Sequence, residues 1–323
     1  NVTGYGGAEL ARILSRHPEL DVVSVTGRSS VGKRLAEVFP HLAGTDMPIT
    51  EELEAETDIV FSALPHAASA ERLLPLINDG KKIVDFSADF RLKDAAAYTE
   101  WYKVDHPSPS TLQSAAYGLP ELNRDEIRTS NLVANPGCYP TGVVLCIRPL
   151  TEAGIVSKDM PLTIHALSGY SGGGKNLIAK WEGGQPDLEG LPFESPYALH
   201  TKHKHVPEMQ KYSGLTYEPQ FIPSVGPFLK GMRVEVPLHK SVIQGGANAE
   251  TIHGLLDERY ADEPLVNVVS LEDTLAYSDP AFDPQARNDN DGLDISVVPN
   301  ELGHVLLVIQ IDNLGKGASG AAI

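Results

Sequence analysis

In the first 140 residues, short apolar runs alternate with segments whose apolar residues recur at helical spacing. Asp21-Val22-Val23-Ser24-Val25-Thr26, Asp58-Ile59-Val60-Phe61-Ser62-Ala63-Leu64 and Lys82-Ile83-Val84-Asp85-Phe86-Ser87 each predict a buried strand. Leu10, Ile13 and Leu14 predict a helix just after a glycine-rich opening, and a further helix follows from Ala67. Strands and helices alternating at this interval predict an α/β fold with a Rossmann-type, doubly wound parallel sheet. Beyond Cys138 the pattern changes. Leu162–Leu167, Phe221–Pro223, Gly231–Val236 and Val305–Ile311 read as strands with long connections, which predicts an α+β domain with a mostly antiparallel sheet. The chain opens at Asn1 on what reads as a strand-to-helix turn and stops in a helical pattern. A leading strand is therefore expected ahead of Asn1, with trimming at both ends.

At 323 residues the chain suits two domains, and a hydrophobic fraction of 41% with 21% charged residues describes a globular protein. The net charge of −17 argues against nucleic acid or an anionic membrane as partner. A small anionic substrate stays open, since local basic residues override the global field. Two cysteines provide no disulfide framework and suit a reducing, cytoplasmic setting. No apolar run approaches the ~18 residues of a membrane span, and no signal peptide is visible.

Cys138 lies in Ala134-Asn135-Pro136-Gly137-Cys138-Tyr139-Pro140-Thr141-Gly142, at a loop-to-helix junction with the helix expected to open near Thr141. Free N–H groups and a helix dipole there favour a thiolate and receive an oxyanion, as an acyl-transfer nucleophile requires. The competing reading is a small buried hydrophobe, which suits Cys146 better. In Gly4-Tyr5-Gly6-Gly7 a glycine turn feeds a helix and lets backbone amides approach a pyrophosphate, although Asn1 stands where the dinucleotide fingerprint has its first glycine. A tight turn without ligand is the alternative. Arg28, Ser29, Ser30 and Lys33 occupy the strand end where NAD enzymes carry an acidic residue, which favours the 2′-phosphate of NADP over a merely solvated basic turn. His66 either lines the cofactor crevice or caps the helix after it.

Ser168-Gly169-Tyr170-Ser171-Gly172-Gly173-Gly174-Lys175 reads as a very flexible loop that wraps a phosphate or nicotinamide, or as a plain linker. In His200-Thr201-Lys202-His203-Lys204-His205, one imidazole can serve a cysteine as acid/base; the alternative is a basic stretch hydrating a helix start. No partner stands at metal-ligand spacing, so no metal is assigned. Glu208 falls in a first helical turn, where its charge suits the dipole. Arg91 is an anion clamp or an ordinary surface arginine. Residues 283–292 read as an exposed acidic loop.

Together these segments resemble the N-acetyl-γ-glutamyl-phosphate reductases, relatives of aspartate-semialdehyde dehydrogenase. The resemblance rests on Thr3-Gly4-Tyr5-x-Gly7-x-Glu9-Leu10, Ala63-Leu64-Pro65-His66, Ser87-Ala88-Asp89-Phe90-Arg91-Leu92, Tyr117-Gly118-Leu119-Pro120-Glu121-Leu122 and Asn135-Pro136-Gly137-Cys138-Tyr139-Pro140-Thr141. Ser168-Gly169-x-Ser171-Gly172, His203-Lys204-His205-x-Pro207-Glu208 and Asp312-Asn313-Leu314-x-Lys316-Gly317 complete it. One departure is Ser224, where relatives often carry histidine.

The resemblance implies NADPH-dependent reduction of N-acetyl-γ-glutamyl phosphate to the semialdehyde, with release of phosphate, through a Cys138 thioester. It implies His203 as acid/base partner, with His205 second. It implies cofactor contacts at Gly4, Tyr5, Gly7, Arg28, Ser29 and Asn313; Gly6, Lys33, Leu64, Pro65, His66, Ser168 and Gly169 complete the cofactor candidates. Arg91 and Asn135 are implied at the phosphate, with Glu121 and Lys202 as further substrate candidates. The implied domains are 1–137 completed by 312–323, and 138–311, in a homotetramer. The rivals are an aspartate-semialdehyde dehydrogenase, a non-catalytic NADP-sensing regulator and a cysteine hydrolase.

Overall fold

The structure is a computed structural model that describes residues 1–53, 56–183, 191–277 and 282–323. The chain divides into two units, Asn1–Pro136 with Ala318–Ile323, and Gly137–Gly317. The return to the first unit thus begins at Ala318, six residues later than the motif starting at Asp312.

In the first unit, α1 (Tyr5–Leu14) precedes β1 (Val25–Thr26), α2 (Leu35–Val38), β2 (Ile49–Thr50) and β3 (Ile59–Ser62). Then come α3 (Ser69–Asn78), β4 (Lys82–Asp85), α4 (Ala95–Tyr102), α5 (Pro109–Ser114), β5 (Ala116–Tyr117), α6 (Pro120–Thr129) and β6 (Leu132–Ala134). Four strands pair in parallel in the order β3-β4-β6-β5, as the alternation of elements requires. Their core joins Val60, Leu73, Ile83, Phe90 and Leu132.

Among the described residues β1 pairs only with β2, in parallel. The strand expected over residues 21–26 shrinks to Val25–Thr26, because residues 21–24 have no neighbouring strand to bond among the described residues. Instead Val22, Val23 and Val25 face Ile59, Val60 and Phe61 around a groove of about 390 Å³.

The second unit begins with α7 (Cys138–Glu152), β7 (Thr163–Gly169), α8 (Gly174–Glu182), β8 (Ser195–Pro196) and α9 (Val206–Tyr212). It continues with β9 (Gln220–Gly226), β10 (Met232–Leu238), α10 (Ala249–Tyr260), β11 (Val266–Val268), α11 (Leu271–Tyr277), β12 (Leu293–Pro299) and β13 (Val305–Ile311). Seven strands line up as β11-β12-β13-β10-β7-β9-β8. Only β11 with β12 and β7 with β9 run parallel, so the sheet is mixed and mostly antiparallel.

α7 lies against this sheet and is buried at nearly every position from Tyr139 to Thr151. The expected flexible loop at 168–175 is instead ordered. β7 runs through Gly169, a 3₁₀ turn spans Tyr170–Gly173, and α8 follows. The amides of Gly169, Tyr170 and Ser171 donate to the carbonyls of Gly231, Phe228 and Leu229, which removes the freedom the glycines suggest. No helix among the described residues is long and apolar enough to cross a membrane.

Candidate active site

Cys138 is the first residue of α7, three residues earlier than the sequence suggests, because Pro140 sits comfortably within a first turn that needs no donor from it. The N-cap Gly137 is extended and has no side chain to cap the helix. Its carbonyl accepts from both the Thr141 amide at 3.0 Å and the Thr141 hydroxyl at 2.9 Å. Cys138 is partly exposed while Cys146 is fully buried, and burial pushes the Cys146 thiol far up. The two cysteines therefore differ in kind: one thiol is presented at a helix N-terminus and the other is packing.

The turn Gly315–Ser319 is π-helical, and a Cβ at Gly317 would lie 3.1 Å from the Cys138 Cβ. Only glycine lets that turn close over Cys138 without displacement.

A hydrogen-bonded chain of side chains runs beside Cys138. The His205 amide donates to His203 Nδ1 at 3.2 Å. The His203 ring proton therefore resides on Nε2 and is donated to the Tyr197 hydroxyl at 3.3 Å. The Tyr197 and Tyr139 hydroxyls share a hydrogen bond at 3.2 Å. Tyr139 is bonded to Ser168, which also lies within hydrogen-bond reach of the Gly169 carbonyl at 3.1 Å. One backbone N–H thus fixes the tautomer of His203 at the head of the chain.

Burial, with a smaller push from the Lys204 charge, lowers His203 to about 4, so it is neutral at pH 7. Burial raises Tyr197 to about 12 and Tyr139 well above its ordinary value, so both phenols keep their protons. The ring of His205 lies 5.0 Å from His203 and 5.8 Å from Tyr139, and Phe221 packs 5.0 Å from both Tyr139 and His203. Tyr197 and Phe221 carried no sequence signal. Tyr197 gains its place through Ala198, whose φ of 55° turns the loop back toward the histidines.

Asn313 is buried, and its side chain accepts from the Gly231 amide at 2.8 Å and donates to Ser171 at 3.0 Å. It ties the start of β10 to the turn after Ser168 and Gly169. Lys202 is exposed, whereas Lys316 is a buried lysine that the sequence did not single out.

In the first unit, Gly7 is compulsory, since a Cβ there would meet the Asn1 carbonyl at 2.2 Å, while Gly6 has open space in front of it. The amide end of α1, starting at Tyr5 after Gly4, is thus open to a phosphate group. Ser319 donates to the Gly6 carbonyl at 2.9 Å, which anchors the returning chain end to this turn. Arg28, Ser29 and Lys33 are exposed just past β1, and Ser29 donates to Thr3 at 3.3 Å, beside the glycine turn. These groups fit a dinucleotide carrying an extra phosphate.

Leu64, Pro65 and His66 lie in the loop beyond β3. His66 does not cap α3: Asp89 does, accepting from the amides of Ala67, Ser69 and Ala70 and from the Tyr98 hydroxyl. His66 Nδ1 instead accepts from the Ala88 amide at 3.3 Å.

Arg91 is 5% exposed, and its guanidinium donates to the Asn135 and Phe86 carbonyls, both at 2.8 Å. It fastens the loops beyond β4 and β6, and two of its donors are spent. Asn135 donates to the Ala318 carbonyl at 2.9 Å, and its Oδ1 is buried without a hydrogen-bond partner among the described residues. Glu121 is buried in the first turn of α6.

Residues 2–130 match the family described as semialdehyde dehydrogenase, NAD binding domain, and residues 138–313 match semialdehyde dehydrogenase, dimerisation domain. In fold, the chain is similar to aspartate semialdehyde dehydrogenase II from Vibrio cholerae, with a TM-score of 0.71 and 16% identity over 100% of this chain and 94% of that one. Aspartate semialdehyde dehydrogenase with NADP from Candida albicans gives a TM-score of 0.67 and 16% identity, over 99% and 94%. Fold and domain matches place the chain in the semialdehyde dehydrogenase class.

Two relatives narrow that class. The N-acetyl-γ-glutamyl-phosphate reductase of Dehalococcoides mccartyi is 39% identical over 329 residues, covering 100% of this chain and 91% of the relative. That of Desulforudis audaxviator is 35% identical over 333 residues, covering 99% and 91%. The chain belongs to the N-acetyl-γ-glutamyl-phosphate reductase family.

Proposed function

We propose that this chain reduces N-acetyl-γ-glutamyl phosphate to N-acetylglutamate semialdehyde and phosphate, with NADPH as reductant and Cys138 as covalent nucleophile. The observation that carries the chemistry is a partly exposed thiol at the first position of an otherwise buried helix. The substrate follows from relatives of that name at 35–39% identity along the whole chain.

In this reading the Cys138 thiolate attacks the acyl carbon, the bond from that carbon to the phosphate oxygen breaks, and phosphate leaves a thioester. The first-turn amides of α7 face the oxyanion formed on the way. Bound NADPH supplies the hydride that reduces the thioester carbon. Collapse of the hemithioacetal then breaks the C–S bond, and the electron pair returns to sulfur.

His205 takes the thiol proton and returns one later. His203 is not suited to that task, because its Nδ1 lone pair is occupied by the His205 amide and its Nε2 proton is committed to Tyr197. This reverses the order expected from the resemblance. Arg28, Ser29 and the α1 amide end hold the cofactor phosphates. The matched dimerisation domain supports self-association, which we take to a homotetramer in the cytoplasm.

The test is mass spectrometry of protein exposed to the acyl phosphate without reductant, together with turnover of Cys138→Ser. An acyl adduct on Cys138 and loss of at least ~10³-fold in turnover are expected. Normal turnover by C138S would end the proposal.

A further inference from the structure

Glu208 is the third residue of α9, a position from which a glutamate commonly folds back onto its own N-cap amide. Here the carboxylate reaches across to another helix. Its Oε1 accepts from the Gly137 amide at 2.8 Å, and the residue is 1% exposed. Gly137 is the N-cap of α7, and its carbonyl is already bound into that helix by Thr141. Both backbone polar groups of Gly137, the residue before Cys138, are therefore restrained, the N–H by Glu208 and the carbonyl by Thr141. At the other end of the link, His205 is the N-cap of α9 and His203 lies two residues before it. One buried carboxylate thus joins the residue before the sulfur to the helix that directly follows both imidazoles.

We propose that Glu208 is a positioning residue that holds the Gly137 backbone, just before Cys138, in register with His203-Lys204-His205, so that the acid/base imidazole meets the sulfur. This rests on the assignment of Cys138 and His205 under the proposed function. The bond and the charge have separable effects. The bond fixes geometry, and its reach is set by the length of the glutamate side chain. A negative charge beside Cys138 opposes ionisation of the thiol, against the pull of the α7 N-terminus. The other titratable groups facing this sulfur or the side chains beside it are Tyr139 on α7 and Tyr197 after β8, with His203 and His205 before α9 packed against those tyrosines.

Two variants of the full chain separate the effects. Glu208→Gln keeps an acceptor at the same reach and removes the charge, whereas Glu208→Asp keeps the charge and is one methylene short. E208D is expected to lose about 30-fold in kcat, as ångström-scale misplacement does, with the pH midpoint of Cys138 alkylation by iodoacetamide unmoved. E208Q is expected to lose several-fold less, while its alkylation midpoint falls by about one pH unit, as removal of a nearby negative charge requires. Hydrogen exchange of the Gly137 amide rises in E208D and not in E208Q. Should E208D not fold, the midpoint of E208Q decides alone. Equal turnover by the two variants, or an alkylation midpoint in E208Q identical to that of the parent, overturns the proposal. Alkylation needs no substrate, so these readings stand apart from the C138S result that tests the function.

Discussion

Replacing His203 with asparagine tests which imidazole can titrate. His203 is depressed from 6.5 to about 4, first by burial and then by Lys204. Between those values the unfolded chain binds a proton that the folded chain refuses, so stability rises with pH through this window and is lost as pH falls. At about 1.4 kcal/mol per unit, the ceiling is about 3 kcal/mol, and partial solvent contact brings the expectation nearer 2. Trp181 is buried in α8 of the same unit, so in a Trp101→Phe background its fluorescence reports urea unfolding of that unit. From pH 7.5 to pH 4 the parent should lose about 2 kcal/mol more than His203→Asn.

Activity gives the second readout. A histidine pinned neutral cannot produce the acid limb of the kcat/KM profile. That limb should therefore persist in H203N and vanish in His205→Asn. Identical pH slopes of stability in parent and H203N, or loss of the acid limb in H203N, would refute the neutral His203 with its proton on Nε2.

Further outcomes follow from particular contacts. Arg28→Ala should weaken NADPH by about 1–3 kcal/mol and leave NADH nearly unchanged, as measured by titration calorimetry; equal weakening would remove the 2′-phosphate argument. Asp89→Ala strips three amides and a phenol of their acceptor, and should destabilise the first unit by about 2–3 kcal/mol in denaturant unfolding. Gly317→Ala places a methyl 3.1 Å from Cys138 Cβ and should lower kcat by about tenfold while leaving cofactor affinity in place.

The local elements were legible because they depend on spacing along the chain. Alternating apolar runs identified β3, β4, β7, β10 and β13, and the proline-glycine break before Cys138 located that cysteine at a helix start. The basic residues after β1 stood out for the same reason. Where the sequence misled, the cause was pairing. Residues 21–24 carry a strand pattern but have no strand beside them among the described residues. The segment 169–174 looks loose, but the amides of Gly169, Tyr170 and Ser171 are bound to residues 228–231.

The residues themselves announced a cysteine nucleophile at a helix N-terminus, a glycine turn for a phosphate and a pair of histidines near Glu208. Composition and spacing suffice for these, since each depends on chemistry carried within a few neighbouring positions. Only tertiary structure decided how those groups are used. It directed Arg91 onto two carbonyls, brought Tyr197 between the histidine and Tyr139, and placed Glu208 on the amide before Cys138. The direction of a hydrogen bond and the proton state of an imidazole depend on which distant atoms arrive beside them, and that is settled when the chain packs.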